Sequence, residues 1–153
     1  HHVGDINRDY YRSKDEEAVL QEGRDITFVA TSSMVQVAQQ AAEALASEGI
    51  SAEVIDPRTL VPFDEATIVE SVKKTSRAIV IDEGHRNFGV TGEIASRISE
   101  KAFYHLDYPV QRMGAMDVPV PFSPALEDLT VPTPEAVAER ARAAVRGELA
   151  DAA

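Results

Sequence analysis

Three residues capable of proton transfer crowd one short stretch: Asp82, Glu83 and His85. A carboxylate beside an imidazole suits general acid–base work. They follow Ala78-Ile79-Val80-Ile81, an apolar run that reads as a buried strand ending at Asp82. That puts them at the carboxyl edge of a sheet, where open α/β folds bind ligands. No serine nucleophile elbow or metal-ligand spacing accompanies them, so a polar loop meeting a neighbouring subunit is the plainer expectation. The residues that follow, Gly84-His85-Arg86-Asn87-Phe88-Gly89-Val90-Thr91, carry the glycine spacing of a phosphate-binding loop. Val90 stands where the phosphate-contacting lysine belongs. The glycines equally suit turns that need positive φ, while the helix start beside His85 and Arg86 keeps a general attraction for anions.

Two further constellations have chemistry without catalysis. Asp56 and Arg58 flank a proline turn, and arginine's planar fork can hold a carboxylate or several carbonyls, so the pair reads as a fixed structural loop. Asp107 sits between Leu106 and Tyr108-Pro109, an acid with apolar company. It reads either as a turn cap before Val110 or as part of a docking patch. His105 reads as a satisfied, partly buried side chain. No catalytic, cofactor-binding or metal-ligating residue is assigned.

The elements that must position these residues alternate. Ile26 to Thr31, Ser51 to Asp56, Arg77 to Asp82 and Val110 to Met113 read as strands. Met34, Val37, Ala38, Ala41 and Leu45 share one face of a helix capped by Ser32 or Ser33, with Gly49 just past its end. Asp64 caps a second helix with Ile68, Val69 and Val72 inward and Lys73 and Lys74 at its end. A third runs from about Thr91 to Tyr104 on Ile94, Ala95, Ile98 and Ala102. A proline-rich traverse, Val118 to Pro134, leads to a last helix opened by Thr133 and Pro134, with Val137, Ala141, Ala144 and Val145 inward. Continuous apolar strands between amphipathic helices predict a three-layer α/β/α domain with a mostly parallel sheet. The expected organisation is an arm over residues 1–24, one domain over 25–147 and a flexible tail over 148–153. His1 and His2 resemble the end of an affinity tag.

The 153 residues suffice for one domain with a real core. A net charge of −11 without a basic stripe argues against nucleic acid and anionic membranes and favours a cationic protein partner. Without cysteine there is no disulfide, thiolate zinc site or cysteine nucleophile, and no apolar run reaches membrane-spanning length.

The run Val54-Ile55-Asp56-Pro57-Arg58-Thr59-Leu60-Val61-Pro62-Phe63-Asp64 resembles the loop signature of the transketolase C-terminal domain family. So do Asp82-Glu83-Gly84 with Gly89-Val90-Thr91-Gly92-Glu93-Ile94, Leu106-Asp107-Tyr108-Pro109-Val110-Gln111-Arg112 and Asp117-Val118-Pro119-Val120-Pro121. The likeness runs from about Val19 to about Val145, and its last two stretches favour the form in beta subunits of 2-oxo acid dehydrogenases. It implies a parent enzyme that uses thiamine diphosphate and magnesium for oxidative decarboxylation with acyl transfer to lipoyl groups. The Gly-Asp-Gly that holds magnesium and the diphosphate is not present, so the resemblance implies a segment that binds no cofactor and is silent alone. It also implies homodimeric pairing, with Glu83, His85, Arg86 and Phe88 at the subunit interface. An alpha subunit and a lipoyl acyltransferase would be partners, the latter docking at Asp107 and Tyr108. The compartment implied is the cytoplasm, or the mitochondrial matrix in a eukaryote. Transketolase or deoxyxylulose-phosphate synthase, a free-standing anion-binding regulatory module, and a small enzyme built on His85 remain as alternatives.

Overall fold

Ile26–Ala30 is buried at every position, which requires a strand with neighbours on both sides and cover on both faces. The computed structural model supplies both. It describes residues 19–31, 34–57, 65–85, 90–115 and 131–148, with backbone alone for 83–85, 90, 91 and 115. The strands are β1 (Val19–Gln21), β2 (Ile26–Ala30), β3 (Ala52–Ile55), β4 (Ala78–His85) and β5 (Gln111–Ala115). The helices are α1 (Met34–Ala46), α2 (Glu65–Thr75), α3 (Val90–Lys101) and α4 (Pro134–Arg146), and a 3₁₀ turn spans Phe103–His105. The sheet order is β1-β3-β2-β4-β5. All neighbours run parallel except β1, which pairs antiparallel with β3.

Strand alternation splits the core into two layers. Ile26, Phe28, Ala30, Val54, Ile79 and Ile81 face α1 and α4, where they meet Ala38, Leu45, Val137 and Ala141. Val29, Ile55 and Val80 face α2 and α3, against Ile68, Val72, Ile94 and Ile98. Each large side chain here contributes about 1.5–3 kcal/mol by leaving water. The three-layer α/β/α expectation is met. In α4, Thr133 accepts from the Ala136 N–H at 3.1 Å and Pro134 takes the first turn. Its far end closes on Gly147 at φ 71, whose N–H donates to Ala144 while that of Glu148 donates to Ala143. Glu148, expected in a loose tail, is therefore bonded into this helix cap.

Other departures have local causes. Val19–Gln21, expected within the arm, is a strand because β3 offers it an open edge. β4 continues through His85 instead of stopping at Asp82, since β5 pairs alongside it as far as Ala115. α3 ends at Lys101, and the 3₁₀ turn takes up the residues expected in its last turn. The expected caps Ser32, Ser33 and Asp64, and most of the proline-rich traverse, lie outside the described residues.

Between β1 and β2 the chain must cross the start of β3. Gly23 makes the crossing: a Cβ there would lie 2.2 Å from the Ala52 carbonyl carbon and 2.4 Å from the Glu53 nitrogen. Both are backbone atoms that cannot swing aside. Arg24 and Asp25 then bond Ser51, through Arg24 N–H to the hydroxyl at 3.2 Å and Asp25 N–H to the carbonyl at 2.8 Å. Gly23→Ala is expected to cost about 1–3 kcal/mol in denaturant unfolding. It should also strip hydrogen-exchange protection from β1 while leaving β4 protected. Gly147→Ala, strained only by its positive φ, should leave β1 protection intact. Wild-type protection of β1 in Gly23→Ala would show that the crossing tolerates a side chain.

Candidate functional site

At the carboxyl edge the polar residues are largely committed to structure. Asp82 Oδ1 accepts from the Thr31 hydroxyl at 2.5 Å, and the Thr31 N–H donates to the Ile81 carbonyl at 3.1 Å, which ties the end of β2 to β4. Glu83 and His85 belong to β4 itself rather than to a loop after it. Asp56 follows β3 at the same edge and is half-buried. Its expected partner Arg58, together with Arg86 and Phe88, lies outside the described residues. On β5, the Arg112 guanidinium lies across the first turn of α3, 3.6 Å from where a Gly92 Cβ would stand. Among the described residues no group of three His, Cys, Asp or Glu side chains could hold a metal.

The amino edge presents an outward-facing arrangement. The turn Leu106-Asp107-Tyr108 straddles the sheet there. Leu106 packs against the α2–α3 core and Tyr108 against the α1–α4 core. Asp107 between them is exposed, and its N–H donates to the Ser76 carbonyl at 2.9 Å. Ser76 turns α2 into β4 with φ 65. The Tyr108 hydroxyl donates to the Glu148 carbonyl, binding this turn to the end of α4. Asp107 is thus a carboxylate held by its backbone and its neighbours, with its own side chain turned to water. His105, expected to be partly buried, is exposed because the 3₁₀ turn carries it outward. The same turn exposes Phe103 by 64% and Tyr104 by 94%. Their types alone gave no sign of this, since the helical period put them at the end of a packed helix.

Sequence reasoning also missed Glu53, which lies only 3% exposed on β3. Its Oε1 accepts from Lys74 Nζ at 2.5 Å and from the Gly23 N–H at 3.1 Å. Beside it Thr27 bonds the hydroxyls of Ser71 at 2.8 Å and Thr75 at 2.7 Å. These groups line or underlie an open cleft of about 540 Å³ between β1 and α2. Burial pushes the Glu53 carboxyl up, but the Lys74 ammonium, the Ser71 hydroxyl and the Gly23 N–H together outweigh it and hold the group below its ordinary value of 4.5. The cluster is a satisfied polar joint rather than a reactive one.

The family model for the transketolase C-terminal domain matches residues 15–137. The beta subunit of acetoin:2,6-dichlorophenolindophenol oxidoreductase from Bacillus subtilis is 42% identical over 135 residues, 88% of this chain and 40% of that one. The mitochondrial pyruvate dehydrogenase E1 component subunit beta-1 of Oryza sativa subsp. japonica is 47% identical over 126 residues, 82% of this chain and 34% of that one. Among solved structures, a split-gene transketolase described as an inactive beta4 tetramer superposes with a TM-score of 0.70 at 31% identity, covering 84% of this chain and 41% of the other. The chain spans about two fifths or less of the length of these relatives.

The Glu53 joint generates a pH signature. A carboxyl whose folded pKa is depressed adds stability above its unfolded pKa and loses it as pH falls through the folded value. Glu53→Gln should therefore cost about 1–3 kcal/mol at pH 7. The gap to wild type should shrink as pH drops below 4.5, read from urea unfolding at a series of pH values. A gap independent of pH would remove Glu53 from the ionised joint.

Proposed function

Because the chain belongs to the transketolase C-terminal domain family, we propose that it is the assembly domain of a beta subunit of a 2-oxo acid dehydrogenase. The parent enzyme would use thiamine diphosphate and magnesium to decarboxylate a 2-oxo acid oxidatively and pass the acyl group to lipoyl arms. The likeness to beta subunits of acetoin and pyruvate enzymes over more than four fifths of the chain supports this parent. Among the described residues no group of three His, Cys, Asp or Glu side chains could hold magnesium and Asp82 is engaged with Thr31, which supports proposing no cofactor contact for them. No chemical step is therefore assigned to this chain.

The observation that carries the docking role is Asp107, held by its backbone at the amino edge and presented to water between two anchored neighbours. A basic binding domain of the lipoyl acyltransferase is its proposed partner, and the acidic balance of the chain favours such an encounter. Tyr108 serves the same surface indirectly, since its hydroxyl is spent on Glu148 and it fixes the turn. Glu83, His85, Arg86 and Phe88 are proposed to meet a second beta subunit, with Asp56 and Arg58 as a structural loop. An alpha subunit completes the assembly. Among the described residues no helix is long and apolar enough to cross a membrane. Cytoplasm, or mitochondrial matrix in a eukaryote, is the proposed compartment.

Two measurements test this. Calorimetric titration of the chain with thiamine diphosphate and magnesium should show no saturable binding in the micromolar range, and 2-oxo acids should not be turned over. Micromolar binding would place cofactor contacts on this domain. Separately, Asp107→Asn should weaken binding of the acyltransferase's basic domain by about 1–3 kcal/mol and flatten its salt dependence. Unchanged affinity in a folded variant would make Asp107 a turn residue only.

A further inference from the structure

The two most exposed large apolar side chains of the described residues are neighbours, Phe103 and Tyr104. Their rings meet edge to face, with centroids 5.3 Å apart and planes at 84°. They precede Asp107 by four and three residues on the connection between α3 and β5. The backbone beneath them is fixed at several points. The Ala102 N–H donates to Ile98 at 2.8 Å, that of His105 to Ala102 at 2.9 Å, and that of Asp107 to Ser76 at 2.9 Å. Ala102 itself is fully buried. Among the described residues neither ring contacts another aromatic beyond this pair, and the Tyr104 hydroxyl has no hydrogen-bond partner. A mobile tip would lose its aromatics to any nearby crevice; this pair is held out in water by an ordered frame.

Exposed, preordered aromatic rings are characteristic anchors of protein interfaces, because they bury large area at little entropic cost. In sequence the pair is flanked by exposed Glu100 and Lys101 on one side and by exposed His105 and Asp107 on the other, on a chain whose net charge is −11. A ring face beside a carboxylate fits a guanidinium: the face attracts the cation and the carboxylate pairs with it. We infer that Phe103 and Tyr104 form the aromatic half of the docking surface, seating an arginine-bearing basic segment of the partner whose charge is met by Asp107. This rests on the docking role proposed for Asp107 and names what gives that contact its residence time. Asp107 steers the encounter and sets its salt dependence; the rings slow its dissociation.

The probe is the basic subunit-binding domain of a lipoyl acyltransferase, titrated calorimetrically against the chain at low and moderate salt. Both rings are exposed, so Phe103→Ala/Tyr104→Ala should keep the wild-type thermal midpoint. Affinity is expected to fall roughly tenfold with an unchanged salt slope, whereas Asp107→Asn should flatten the slope. Tyr104→Phe keeps the ring face and should bind like wild type. Tyr104→Leu keeps apolar area without the face and should lose roughly threefold or more. If the double alanine variant binds within twofold of wild type while Asp107→Asn is weakened, the aromatic seat is wrong and the acid's docking role stands. If Tyr104→Leu matches wild type, the rings do not seat a cation and the inference fails. If wild type itself does not bind the basic domain, the docking role falls and this inference with it.

Discussion

Everything in this domain follows from a strand with no surface. Ile26–Ala30 has β3 on one side, β4 on the other and a helical layer over each face, so all five of its residues are excluded from solvent. Parallel neighbours cannot be reached by tight turns, so each strand must be followed by a crossover long enough to hold a helix. Those helices supply the cover that the strand's side chains demand. The one polar residue of the strand, Thr27, shows how strict the demand is. Its hydroxyl reaches Ser71 and Thr75 on α2, since nothing else is available to it inside the layer.

Most of this was legible in the sequence wherever burial is continuous. Ile79, Val80 and Ile81 in a row leave no solvent face, and the period of Met34, Ala38, Ala41 and Leu45 allows only a helix packed on one side. Thr133-Pro134 and Gly147 announced the limits of α4 through local backbone chemistry. The features that escaped depend on partners distant in sequence. Val19–Gln21 has no strand signature of its own and becomes one only because β3 lies beside it. Glu53 carries no local mark of burial, and its setting exists only once Lys74 and Gly23 are brought to it. Of the site, Asp107 could be picked out by resemblance, but its anchoring by Leu106 and Tyr108 in opposite cores needed the fold. Phe103 and Tyr104 were hidden by the simplest regularity, since they extend the helical pattern of α3 in sequence and leave it in space.

The two edges of the sheet are treated differently. At the carboxyl edge, the Thr31–Asp82 bond and the lie of Arg112 over α3 knit neighbouring elements together. At the amino edge, backbone bonds do the fixing and leave side chains of the 3₁₀ turn and Asp107 facing outward. An interior joint such as Glu53–Lys74 adds to the fold because its acid is shielded from water. The two-pronged Arg142–Glu48 pair, at 2.7 Å on each prong, sits on the surface joining α4 to α1, where water competes for both charges.

The short strand β1 has a consequence for the solution behaviour of the chain. Without it, β3 would be an outer strand showing a row of unsatisfied N–H and C=O groups, a ready template for adding a strand from another molecule. Three residues running against the direction of the rest are enough to close that side, and Gly23 alone lets them get there. Trimming the chain to begin at Arg24 would take Val19 from the margin of the α2–α3 core and the Gly23 N–H from Glu53, and would open this side, so the material would be lost to clumping as well as to unfolding.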